Sequence, residues 1–334
     1  MRCLWDERQR SHMPSGEFFN GAIHPPAEHS GRVDAILAEI GTTERPADHG
    51  IEPLRRVHPD PYLDLLASAH AQWRDAGRDG DAFPYTFPVA GRRALPLERI
   101  DAKLGQHSFD TSTPIGAGTW DAAYWSAQTA LGALDAVLAG DAAAFALCRP
   151  PGHHAGADYF GGYCYLSNAA IVAEAALASG RRRVAILDVD YHHGNGTQDL
   201  FDERSDVAFA SIHADPATDY PFFWGHADER GSGDGEGATL NLPLPRGTAW
   251  PSYEPALAQA LEWIGGREPE LLVLSFGADT HEADPISHFQ LRTGDYSRMA
   301  RRIAGLGLPT VILMEGGYAV DALGANVAGF LGGF

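Results

Sequence analysis

The stretch Asp188-Val189-Asp190-Tyr191-His192-His193-Gly194-Asn195-Gly196-Thr197 decides how the rest of the chain reads. Before it runs Val184-Ala185-Ile186-Leu187, a continuous apolar run with β-branched residues, the pattern of a strand buried on both faces of a parallel sheet. The polar groups begin where that strand stops, and in open α/β sheets the carboxyl ends of strands are where ligands bind. Asp190 and His192 are two apart, so in extended chain their side chains point to the same side. A carboxylate and an imidazole that converge can hold a divalent metal. Alone, the segment reads equally well as a capped turn, because Asp, His, Asn and Gly are ordinary loop residues. The turn reading loses because strand followed by polar chemistry recurs at three further places.

A strand over 143–147 runs into Cys148-Arg149-Pro150-Pro151-Gly152-His153-His154, followed by Phe160-Gly161-Gly162-Tyr163. The tandem histidines can act as metal ligands or as a base and acid pair whose pKa values neighbouring carboxylates set apart. A strand over 271–276 runs into Gly277-Ala278-Asp279. Asp279 would complete Asp190, His192 and Asp279 as an open three-ligand site with a position left for water. A strand over 310–314 runs into Glu315-Gly316-Gly317-Tyr318, where the glycines permit a sharp turn that swings the phenol over the metal. Singly, these read as loop histidines, a helix N-cap and a rim tyrosine. Four strand ends carrying them together indicate one site.

The rest of the chain fits that frame. Further strands are expected over 2–5, 184–188 and 207–212, and helices over 31–40, 61–73, 121–139, 168–178, 253–264 and 295–306. This alternation predicts an α/β fold, a single domain over 1–334, with a mainly parallel sheet and helices on both faces. The segment 75–119 is irregular but rich in apolar residues, Phe83, Tyr85, Phe87, Leu95, Leu97, Ile100, Leu104 and Phe109 among them, so it must pack on its own domain or form a subunit contact. The net charge of −19, from 44 acidic and 25 basic residues, argues against nucleic acid and anionic membrane; it favours a cationic ligand only weakly, since solubility accounts for most of such a charge. Cys3, Cys148 and Cys164 are an odd set without a CxxC pair, so no disulfide framework is expected. Without an apolar signal region in residues 1–10 or a membrane-length stretch, the expectation is a cytoplasmic protein.

The segments RPPGHH, FGGYCYLSNAA, ILDVDYHHGNGTQ, GADT and MEGGY resemble the zinc-dependent histone deacetylase superfamily, and more closely its bacterial acetylpolyamine amidohydrolase branch. The resemblance implies the arginase-deacetylase fold, with a mainly parallel sheet of about eight strands. It also implies zinc on Asp190, His192 and Asp279, proton handling by His153 and His154, and polarisation of the substrate carbonyl by Tyr318. Asp188 would orient His153, and Asn195 would orient His154. A structural K+ would sit on Asp188, Ser211 and the main-chain oxygens of Asp190, His192 and Ile212. Gly162 would offer backbone to the substrate, and Tyr163 and Tyr220 would flank its stem. Ile286 stands where polyamine-selective eukaryotic relatives have an acidic gatekeeper. The 75–119 insertion would join two subunits of a homodimer and narrow the mouth, with Asp101, Asp110 and Glu17 as acids near it, although Ser112 stands where another acid would be expected.

The implied reaction is release of acetate from a small N-acetylated amine, an acetylpolyamine foremost. The alternatives are a protein acetyl-lysine deacetylase, another small acyl-amide hydrolase, an arginase-like dinuclear hydrolase, for which the tandem histidines and EGGY are the wrong equipment, and a non-catalytic binder, which would be expected to have lost Tyr318 or a ligand. Two Asp and one His form a hard ligand set, so Fe2+ or Co2+ could serve in place of Zn2+.

Overall fold

The computed structural model describes residues 1–89 and 95–334, so residues 90–94 of the expected 75–119 insertion lie outside it. The strands are β1 (Arg2–Leu4), β2 (Glu17–Phe19), β3 (Ala22–His24), β4 (Ala143–Ala146), β5 (Val184–Asp188), β6 (Val207–Ala214), β7 (Thr239–Leu244), β8 (Leu271–Phe276) and β9 (Thr310–Met314). The helices are α1 (Gly31–Ile40), α2 (Glu52–Arg55), α3 (Asp60–Asp75), α4 (Ile100–Gln106), α5 (Thr119–Leu138), α6 (Asn168–Ala178), α7 (Asn195–Phe201), α8 (Trp250–Gly265), α9 (Thr293–Ala304) and α10 (Val320–Leu331).

Among the described residues the main sheet has seven strands in the order β1-β4-β9-β8-β5-β6-β7, every neighbouring pair parallel. This corrects the count of about eight: β2 and β3 pair with each other as a separate antiparallel hairpin instead of extending the sheet. Side chains along β5 alternate between two cores, as the two-residue period of a strand requires. Val184 and Ile186 pack with Leu134, Val137 and Val172 of α5 and α6. Ala185 and Leu187 pack on the other face with Leu257, Met299 and Val327 of α8, α9 and α10. A continuous apolar run is the sequence consequence of facing two cores at once.

The strand order reverses beside β5. From β5 the chain moves outward to β6 and β7, then returns through α8 to β8 on the other side and on to β9. Such a reversal leaves a crevice at the carboxyl ends of the two strands that flank it, here β5 and β8. Asp190 and His192 follow β5, and Asp279 follows β8.

Some apolar residues of the insertion pack on the domain and others face solvent. Ile100 and Leu104 of α4 are buried with Leu65 and Leu66 of α3, and Phe83 and Phe109 are half-buried. Tyr85, Phe87, Leu95 and Leu97 are exposed. Among the described residues no helix is long and apolar enough to cross a membrane.

Candidate active site

Asp190, His192 and Asp279 meet in the crevice, with one ligand atom from each lying within 4.8 Å of the others. His192 Nδ1 lies 3.3 Å from Asp190 Oδ1 and 3.1 Å from Asp279 Oδ2. Backbone donors aim the carboxylates: Tyr191 N–H donates to Asp279 Oδ1 at 2.9 Å, and Gly316 N–H donates to Asp190 Oδ2 at 2.8 Å. Glycine is needed at 316, because a Cβ there would lie 2.5 Å from Asp279 Oδ2 and 2.7 Å from Asp190 Oδ2.

The electrostatics show what this donor set suits. Both aspartates are fully buried, and burial together with the charge of Asp190 pushes the Asp279 carboxyl up to about 8. Burial would also raise Asp190, but His153 and His192 outweigh it and hold that carboxyl low. Two buried carboxylates sharing one point are costly without a cation between them. An imidazole beside them makes the set fit a divalent metal.

The tandem histidines hang from the loop after β4 and have unlike partners. His153 Nδ1 lies 3.0 Å from Asp188 Oδ2, and His154 Nδ1 lies 2.7 Å from Asn195 Oδ1. Burial alone would depress His153, but Asp188 and Asp190 carry it up to about 10. Burial and the neighbouring His153 and His192 push His154 well below the ordinary imidazole range. The expected orienting roles of Asp188 and Asn195 therefore rest on direct contacts. Glu315, which in the sequence stands only as the first residue of the Glu-Gly-Gly-Tyr turn, holds this loop in place: its Oε2 accepts from Gly152 N–H at 2.7 Å and His153 N–H at 3.2 Å. The signal for it in the sequence is an acid placed directly after the continuous apolar run over 310–314.

A cavity of about 340 Å³ opens on the site, lined among others by His154, His192, Gly162, Tyr163, Tyr220, Ile286, Glu17 and Tyr318. Tyr163 packs edge-on against Tyr318 at 5.8 Å, and Tyr220 packs edge-on against His154 at 5.2 Å. Burial raises the Tyr318 phenol well above its usual range, so it stays protonated and can donate. Gly162 N–H donates to Asp110 Oδ2 at 2.7 Å, and its carbonyl oxygen lies 3.3 Å from Cys164 Sγ. Ile286 is an apolar wall. Phe19, Asn20 and Phe222 also line the cavity; nothing in their local sequence pattern distinguishes them from packing residues.

Two of the three acids expected near the mouth are placed elsewhere. Asp101 is buried on α4, where Arg78 and Arg99 each donate to its Oδ2 at 2.7 Å; it lines a separate hollow with Trp73 and Tyr85. A carboxylate already bound by two guanidiniums has no need of another cation. Asp110 stands behind the wall, where its Oδ2 also accepts from the Tyr220 hydroxyl at 2.9 Å. Both are structural ties in this chain. Glu17 alone of the three lines the cavity. Asp188 and Ser211 are paired across β5 and β6, with Ser211 Oγ 2.8 Å from His213 Nδ1.

The family model of the histone deacetylase domain matches residues 27–333. Acetylpolyamine amidohydrolase 1 of Pseudomonas aeruginosa is 50% identical, over 100% of this chain and 99% of that one. The acetylpolyamine amidohydrolase of Mycoplana ramosa is 45% identical, again over 100% and 99%. The crystal structure of an acetylpolyamine aminohydrolase from Burkholderia pseudomallei superposes with a TM-score of 0.95 at 41% identity, covering 100% of this chain and 98% of that one. A domain match that spans almost the whole chain, joined to relatives that align end to end, makes this chain an enzyme of the histone deacetylase family.

Proposed function

We propose that the chain releases acetate from small N-acetylated cationic amines, acetylpolyamines foremost, with Zn2+ on Asp190, His192 and Asp279. Fe2+ or Co2+ would suit the same hard donors. Bound there, the metal would supply a lowered water pKa and a polarised carbonyl. The protein's own groups do the rest. His154, neutral and facing the cavity, takes a proton from the attacking water and passes one to the departing nitrogen. Tyr318 donates to the oxyanion, and the Gly162 carbonyl accepts from the amide N–H. His153, kept charged by Asp188, adds positive charge behind the reacting centre. We further assign a K+ to Asp188, Ser211 and the carbonyls of Asp190, His192 and Ile212, and a homodimer built on the exposed Tyr85, Phe87, Leu95 and Leu97. A molecular mass in solution equal to one chain would reject the dimer.

The observation that carries the substrate reading is Glu17. It is 3% exposed, lines the same cavity as Tyr318, and one of its carboxylate oxygens has no hydrogen-bond partner. Burial raises its pKa, a penalty that an ammonium in the cavity would relieve. Turnover of acetylputrescine and acetylspermidine should exceed that of an acetyl-lysine peptide. Glu17→Gln should lower kcat/KM for the acetylpolyamines by roughly 10- to 150-fold, the equivalent of about 1.5–3 kcal/mol for a charge-assisted hydrogen bond. A preference for the peptide, unchanged in the variant, would favour the protein deacetylase alternative.

A further inference from the structure

Tyr318 follows Gly316 and Gly317, and Gly317 has φ +124°, so the segment that carries the phenol has little stiffness of its own. Arg32 restrains its carbonyls: Nε donates to Gly317 O and Nη2 to Glu315 O, both at 2.6 Å. The N–H groups are held from the opposite strand end. Asp284, five residues past Asp279, accepts from Tyr318 N–H at 2.7 Å and Ala319 N–H at 3.2 Å through Oδ2. Its Oδ1 accepts from Ile286 N–H at 3.1 Å. The side chain is 8% exposed and does not line the cavity, and among the described residues no Lys or Arg pairs with it.

We propose that Asp284 is a positioning residue: it fixes the catalytic phenol of Tyr318 and the apolar wall of Ile286 relative to one another by tying both backbones to one carboxylate. The residue type follows from the donor count. Three N–H groups converge on it, and two carboxylate oxygens can take all three. An amide offers one oxygen and turns an NH2 toward the remaining donors. Because Tyr318 and Ile286 line the same cavity, one buried acid sets the distance between the group that meets the carbonyl and the surface that meets the substrate stem.

The inference rests on the deacetylase reading of the site, and the experiment separates the two. Asp284→Asn, nearly isosteric, is the primary variant, with Asp284→Ala as a second. Both are combined with Tyr318→Phe in a double-mutant cycle on the metal-loaded enzyme, with metal content assayed in each sample. The expected result for Asp284→Asn is a fall in kcat of roughly 10- to 100-fold, KM within about threefold, and one metal per chain retained. In the Tyr318→Phe background the same change should cost less than about threefold, because a phenol that is absent cannot be misplaced. Equal losses in both backgrounds would overturn the positioning role while leaving the deacetylase reading intact. Full kcat in Tyr318→Phe would overturn both.

Discussion

Asp279→Ala is expected to give a folded protein that has lost its metal and nearly all turnover. The carboxylate stands at the end of β8, aimed by Tyr191 N–H, beside Asp190 and His192. In the metal-free protein the aspartate is a liability, since burial and Asp190 both oppose its ionisation. Removing it leaves Tyr191 N–H without its acceptor, a cost of about 1–3 kcal/mol, offset by relief of the like-charge contact. The apo variant should therefore melt near the apo wild type. The two should part company when Zn2+ is added. A ligand that binds only the folded state stabilises it by about 2.7 kcal/mol at a hundred times its Kd, so the wild-type melting temperature should climb with Zn2+. Losing one of three protein ligands should weaken binding by more than the roughly 10- to 100-fold typical of groups that merely support a ligand, and the variant's melting curve should stay flat. Thermal melts with and without Zn2+, metal content and turnover form one test. A variant that melts higher with Zn2+ and turns over normally would remove Asp279 from the ligand set.

The parts of this site that could be read from sequence are those in which chemistry and backbone pattern coincide. Each expected ligand or proton carrier follows a continuous apolar run, and a strand buried on both faces has to be continuous in that way. The runs over 184–188, 271–276 and 310–314 have the bounds of β5, β8 and β9. β7 left no such trace. It is an edge strand with Asn241 and Pro243 inside it, half-exposed except at Thr239 and Asn241, and its pairing partner decides its conformation more than its composition does. α7 begins within Gly194-Asn195-Gly196, which taken alone reads as turn chemistry. α10 does carry a signal of its own: Leu323, Val327 and Phe330 are spaced to form one buried face. The acids were the hardest, because sequence shows that a carboxylate is present but not what already occupies it. Asp101, Asp110 and Glu17 look alike in the chain. Two guanidiniums claim the first, the backbone of Gly162 and the hydroxyl of Tyr220 claim the second, and the third lines the cavity with one buried oxygen left without a hydrogen-bond partner.

His154→Ala should cost far more activity than His153→Ala, and the reason lies in what each imidazole faces. His154 lines the cavity and His153 does not. Asn195 Oδ1, an acceptor, sits on His154 Nδ1, so the ring carries its proton there and presents a bare Nε2 to the site. The Asn195 amide is itself oriented, its Nδ2 donating toward the Tyr159 hydroxyl at 3.4 Å. His153 is bound to a carboxylate and charged, its ring centroid 4.0 Å from that of His154, where it discourages a second proton. A bound divalent cation would push the same way. His154 is thus a neutral base throughout the neutral pH range, and its removal should lower kcat by about 10²- to 10⁴-fold, the usual worth of a positioned general base. His153→Ala removes a charge that touches no reacting atom and should cost less. The sign of the pH dependence follows. Activity requires neutral His154, so it should fall as pH drops through a pKa held below the ordinary value of about 6.5. Asn195→Asp would place an anion on Nδ1, favour the protonated ring and move that acid limb to higher pH. Profiles of kcat/KM against pH for the wild type and Asn195→Asp, with kcat for the two alanine variants, decide the matter. Equal losses at 153 and 154, or an acid limb indifferent to Asn195→Asp, would take the base role away from His154.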